Sequence, residues 1–136
     1  MVNMIKAINT ALTSLNVNAK KVENSASNIA NMGSVGSLDA DHEQQPYSPK
    51  IINQNSNKTG GVTFNVSDKD PAFVPSYSPN SPFADKEGFI GVPNVNLIEE
   101  AMNIKMAELN YKASAKIIQT ASEMQNELTE ALDKKV

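Results

Sequence analysis

Residues 1–29, MVNMIKAINTALTSLNVNAKKVENSASNI, set Met1, Ile5, Ile8, Leu12, Leu15, Ala19, Val22, Ala26 and Ile29 at alternating steps of four and three. A 3.5-residue repeat keeps one stripe of a helix turned toward a partner along its whole length. Outside the stripe stand Asn9, Thr10, Thr13, Ser14, Asn16, Asn18, Asn24, Ser25, Ser27 and Asn28. Each favours helix less than Ala, by up to ~0.7 kcal/mol. Such a helix needs packing to hold it, and its Asn and Ser side chains suit close contact with several neighbours. Gly33 and Gly36 then stop it. The reading predicts a helix from about Asn3 to Asn31, within an N-terminal axial segment over 1–33.

At the opposite end Leu97, Ala101, Ile104, Tyr111, Ala115, Ile118, Ala121, Leu128 and Leu132 form a second stripe. Pro93 precedes it, Asn94 or Asn96 can cap it, and Glu99 and Glu100 sit in the first turns. Those placements complement free N–H groups and the positive end of the helix dipole. A helix running to about Asp133 is predicted, with Lys134 and Lys135 at its negative end, in a segment over 95–136. Matched stripes at the two ends predict a mainly α fold in which long N- and C-terminal helices pack as an antiparallel coiled-coil hairpin.

Between them, residues 34–94 contain all seven Pro and every Gly but Gly33. Short β candidates are Lys50 to Asn53, Val62 to Val66 after the Gly60-Gly61 turn, and Phe89 to Val92. This segment reads as an irregular loop carrying a small β element, with no core of its own.

Composition narrows the function. Of 136 residues, 40% are hydrophobic but only 5% aromatic, and Trp is absent; little large apolar surface is available, so an isolated copy is expected to be marginal. A net charge of −3 without a basic block argues against nucleic acid or an anionic membrane as partner. All twelve basic residues are Lys, which removes the bidentate guanidinium fork. No Cys is present, excluding disulfides and thiolate chemistry. The opening residues mix Asn, Lys and Thr with apolar ones, so no signal peptide is expected, and no run approaches the ~20 apolar residues of a membrane span.

No constellation supports catalysis. His42 lies among Asp39, Asp41 and Glu43, but the spacing fits no zinc signature and no second His exists. Glu99 and Glu100 are adjacent, point to different helix faces and cannot share a proton; capping and dipole compensation explain them. Gly60-Gly61 lacks the GK[ST] ending and following helix of a phosphate loop. Met102, Met106 and Met124 suit adaptable packing better than a soft-metal site. The expectation is a non-enzyme without cofactor, metal or small-molecule substrate. Two readings remain: an assembling structural subunit, or a free-standing helical-hairpin adaptor or secreted effector.

Three stretches resemble a known family. They are Ala11-Leu12 with Ser25-Ala26-Ser27-Asn28-Ile29-Ala30-Asn31; Pro46-Tyr47 with the run from Tyr77-Ser78-Pro79-Asn80-Ser81-Pro82-Phe83 through Gly88-Phe89-Ile90 to Val92-Pro93-Asn94-Val95-Asn96; and Glu99-Glu100-Ala101-Met102 with Tyr111-Lys112-Ala113. Together they resemble the axial proteins of the bacterial flagellum, and most closely the proximal-rod proteins of its basal body. The chain departs from that pattern at Met32-Gly33-Ser34, Ser48-Pro49-Lys50 and Ser114. The resemblance implies a structural subunit of the drive shaft for motility. Such a subunit is exported unfolded by the flagellar type III apparatus and assembles with other rod proteins and copies of itself in the periplasm-spanning rod. The residues expected at subunit interfaces are Ile5, Ile8, Leu12, Leu15, Val22, Ala26, Asn28, Ile29 and Asn31 on the first helix. On the second they are Leu97, Ala101, Ile104, Tyr111, Ser114, Ile118, Ala121, Leu128 and Leu132.

Overall fold

A computed structural model of the chain describes residues 2–135; Met1, the first residue of the expected stripe, lies outside them. Helix α1 (Val2–Ala30) and helix α2 (Leu97–Asp133) are the two largest elements, about 43 and 55 Å long at 1.5 Å per residue. Asn96 is the α2 cap: its Oδ1 accepts from the N–H groups of Ile98 (3.0 Å) and Glu99 (3.2 Å). The Asn94 amide instead donates to the Pro71 carbonyl at 2.9 Å.

The helices pack antiparallel, for Ser14 Oγ meets Ser114 Oγ at 3.1 Å while Asn28 Nδ2 meets Glu100 Oε1 at 2.8 Å. In this register α2 outruns the start of α1 by about two turns. Their line of contact differs from the expected apolar stripe. Along the line of contact Ala11, Asn18 and Ser25 are buried on α1, and Glu100, Ala107, Ser114 and Ala121 on α2, each set at steps of seven, with Asn28 buried at the end of the line. Ile8, Leu15, Val22 and Ile29 are half-buried, whereas Ile5, Leu12, Ala19 and Ala26 are exposed. The stripe is thus turned so that one edge borders α2 and the other faces out. Small side chains let the two backbones approach closely, and the Ser–Ser and Asn–Glu hydrogen bonds pair polar groups that this buries.

The middle is more ordered than the density of Pro suggests. Strand β1 (Lys50–Ser56) pairs antiparallel with β2 (Val62–Asp68), and β3 (Phe73–Tyr77) with β4 (Phe89–Pro93). β3 was not expected, because Pro75 and its neighbours Pro71 and Pro79 read as breaks. It forms because an edge strand needs only half its N–H groups, and Pro75 sits opposite Gly91 on that edge. Gly36, expected only to help stop α1, exchanges backbone hydrogen bonds with Gly91 (3.0 and 2.8 Å). A Cβ there would strike the Gln45–Pro46 backbone.

The β1–β2 hairpin lies along α1. At its base the Lys50 carbonyl accepts from Asn24 and Asn28; at its tip Thr10 and Thr13 hydroxyls accept from Gly61 N–H (3.1 Å) and Val62 N–H (2.9 Å). Gly60 and Gly61 hold φ near +97° and +96°, which only glycine adopts without strain. Residues 10, 13, 17, 21 and 24 fall on one helical row, so the hairpin covers a second face of α1. Val17, the one large aliphatic on that row, is 1% exposed.

Candidate functional site

Asn28 joins three parts of the chain. Its Nδ2 donates to the Lys50 carbonyl (2.9 Å) and to Glu100 Oε1 (2.8 Å). Its Oδ1 accepts from the Tyr47 hydroxyl (3.0 Å) and the Lys50 N–H (3.1 Å). A primary amide has two donors and two lone pairs, and here all four are in use. α1 supplies the amide, the segment entering β1 supplies Tyr47 and Lys50, and the first turn of α2 supplies Glu100. The side chain is 1% exposed; its bonds form in a shielded setting where an orphaned polar group would be costly. Glu100 therefore does more than compensate the helix dipole: it ties the start of α2 to the end of α1.

Along their length the helices leave many of their large apolar side chains outside. On α2 these include Leu97, Ile98 (73% exposed), Met102, Met106, Leu109 (68%), Ile117, Met124, Leu128 and Leu132; on α1 they are Ile5 (62%) and Leu12 (51%). A helix with apolar residues on several faces is stable only when several faces are covered. Near the free end of the helix pair, Met4, Ala7, Ile117, Ala121 and Met124 line an apolar groove of about 690 Å³.

The residues expected at interfaces divide three ways. Asn28, Ser114 and Ala121 are buried inside the chain, between its own helices. Ile8, Leu15, Val22, Ile29, Ile104 and Ile118 are half-buried along the seam's margins, and Asn31 is half-buried with its Nδ2 bonded to the Ser27 carbonyl (2.9 Å). Ile5, Leu12, Ala26, Leu97, Ala101, Tyr111, Leu128 and Leu132 are exposed. Sequence reasoning missed the seam of Ala11, Asn18, Ser25, Glu100 and Ala107, since a search for large apolar residues overlooks small ones. Their seven-residue spacing was the available signal.

Elsewhere the surface is ordinary. Glu108 bonds Lys112 (2.7 Å) and Lys105 (3.3 Å), and the Lys112 hydrogen bond, followed by that of Lys105, holds its carboxyl below the usual value. His42 is exposed; its Nδ1 accepts from the Gln44 N–H at 3.1 Å and its ring meets Phe83 edge-on at 6.4 Å. Among the described residues no helix is long and apolar enough to cross a membrane.

The family model described as "Flagellar basal body rod FlgEFG protein C-terminal" matches residues 86–131, most of α2 and its approach. Proteins named flagellar basal-body rod protein FlgC align over nearly the whole chain. That of Escherichia coli O6:H1 is 30% identical over 129 residues, covering 89% of this chain and 92% of the relative. The protein of Yersinia enterocolitica is 29% identical over 130 residues, covering 90% and 92%. That of Buchnera aphidicola subsp. Baizongia pistaciae is 32% identical over 119 residues, covering 87% and 85%. Identity at this level across almost the full length of both chains makes this protein a member of the flagellar basal-body rod protein FlgC family.

Proposed function

We propose that the chain is a non-catalytic building block of the flagellar rod whose terminal segments, 1–33 and 95–136, are its axial contacts. Copies of it and other rod proteins cover the outer apolar faces in a coiled-coil-like bundle, and the 34–94 segment lies outward from that bundle. The outward display of Leu12, Ile98, Met102, Leu109 and Leu128 carries this reading. Burying one such side chain contributes about 1.5–3 kcal/mol, so neighbours that cover a row of them outweigh the loss of rotational freedom on association. The subunit travels unfolded through the flagellar type III export apparatus, and weak terminal helices keep it pliable for that passage. Its place is the periplasm-spanning basal-body rod, without direct membrane insertion, nucleic acid or small-molecule substrate.

The test is complementation of a swimming strain that lacks its own rod subunit of this family. Restored swimming, with the chain co-purifying in basal bodies, is expected for the natural sequence and not for Leu12→Asp. A chain found only free in the periplasm or medium, or normal swimming with Leu12→Asp, would overturn the assembly reading.

A further inference from the structure

Steps of four and three set Ile98, Met102, Lys105, Leu109, Lys112 and Lys116 along one exposed stripe of α2. Through Gln119 the same stripe continues to Glu123, Glu127 and Glu130. It lies on the side of the helix away from Ala107, Ser114 and Ala121, which close on α1. Its charge is divided along the axis: the first half has the three lysines, whereas residues 117–133 contain four acids and no Lys. Lys105 and Lys112 share the single carboxylate of Glu108, and Lys116 meets the neutral Gln119 at 3.2 Å. Glu123, Glu127 and Glu130 form no ion pair among the described residues. Glu130 and Asp133 also stand at the negative end of the helix dipole, with no base in the last turn, where acids destabilise a lone helix.

Two such helices cannot lie parallel and level, since Lys would face Lys and Glu would face Glu. A displacement of eleven residues, about 17 Å along the axis, is three turns to within about 20° and keeps the stripe on the same side. It sets Lys112 level with Glu123, Lys116 with Glu127 and Glu123 with Lys134, and leaves one like pair, Lys105 with Lys116. It also brings Ile98, 73% exposed, level with Leu109, 68% exposed. We propose that the outer stripe of α2 is a staggered contact between two copies of this chain. The α2 helices run parallel, and the acidic half of one lies beside the lysine-bearing stretch of the next. A contact that uses different halves on its two partners propagates rather than closing on itself. That the copies point the same way rests on the rod reading. An antiparallel pair would instead match Lys112 with Glu127, set Leu109 level with Glu130, and close as a dimer.

The full chain has no Cys of its own, so it can be made as differently tagged single-cysteine copies and mixed. Ile98→Cys with Leu109→Cys should give a mixed disulfide under mild oxidation. Raising sodium chloride from about 50 mM to about 500 mM should cut its yield about fivefold, because exposed charges are screened. Leu109→Cys with Glu130→Cys should give about tenfold less product, since a parallel stagger keeps those positions roughly 15 Å apart along the axis. Preferential linkage of the second mixture, linkage indifferent to salt, or a yield for the first no higher than for Ile98→Cys with Thr63→Cys on the hairpin would overturn the contact. In the complementation strain, Lys112→Glu with Lys116→Glu, and Glu123→Lys with Glu127→Lys, should each reduce recovery in basal bodies about tenfold or more, as like charges then meet. Expressed together, the two variants should restore it, an acidic stripe beside a lysine one. Natural recovery of either variant alone, or no rescue by the pair, overturns the contact. Failure of the natural chain itself overturns the rod reading and leaves the cross-links standing.

Discussion

Asn28 is the residue on which the helix pair and the central segment meet, and its four bonds close within one subunit. Truncation by Asn28→Ala strands the Glu100 carboxylate and the Lys50 N–H, while the Tyr47 hydroxyl keeps Ser27 Oγ at 3.3 Å. Buried orphans cost about 1–3 kcal/mol each before relaxation, so a loss of about 3 kcal/mol or more in denaturant unfolding is expected. The resemblance marked Asn28 by its place in a motif; only folding showed that its partners are Tyr47, Lys50 and Glu100. Glu108 gives a smaller test. Its folded carboxyl titrates lower than a free one because Lys112 and then Lys105 bond to it. Its contribution to α2 is therefore present above the ordinary glutamate range and lost as pH falls through the lowered folded value. Nuclear magnetic resonance titration of Glu108 should show the lowered midpoint, and Lys112→Met should return it toward normal.

At the level of elements, the two helices were legible because period and caps are local. A cap at Asn94 or Asn96, the Glu99–Glu100 first turn and an end near Asp133 follow from adjacent residues alone; the structure chose Asn96. The face that each helix turns to the other is a different matter. Ala107 and Ser114 lie at the seam while Leu109 and Met106 lie outside, because close approach with hydrogen bonds competes with burial of bulk. Opposite substitutions separate the two faces. Ala107→Leu overfills the seam and should cost the isolated chain about 1–3 kcal/mol in thermal unfolding. Leu12→Asp, at an exposed position, should change that stability by within about 0.5 kcal/mol while preventing recovery in basal bodies.

Taken whole, the molecule has few buried large side chains: apart from prolines, its described buried apolar residues are Ala11, Val17, Ile90, Ala107 and Ala121. Three of these five are alanines, so the helix pair rests on short contacts and a handful of polar bonds. Past the Asn28 junction and the hairpin tip at Thr10, the described residues meet the outer turns through the apolar groove of Met4, Ala7, Ile117, Ala121 and Met124. Hydrogen exchange of the dilute chain should find amides of residues 122–133 exchanging fastest in α2, with those near Glu100 slowest. On assembly the outer turns should gain protection, and helicity measured by circular dichroism should rise. A concentration-independent helical signal with protected outer turns in the lone chain would favour the free-standing adaptor. What the sequence by itself determined is about where the helices begin and end, that Pro and Gly lie between them, and which family the chain resembles, because each depends on spacing and local chemistry along the backbone. Which face of each helix closes inward, that Pro75 joins an edge strand, and that Asn28 and Glu100 meet across seventy-two positions were decided only in three dimensions, where side-chain volume and the need to satisfy buried polar groups outweigh the apolar pattern.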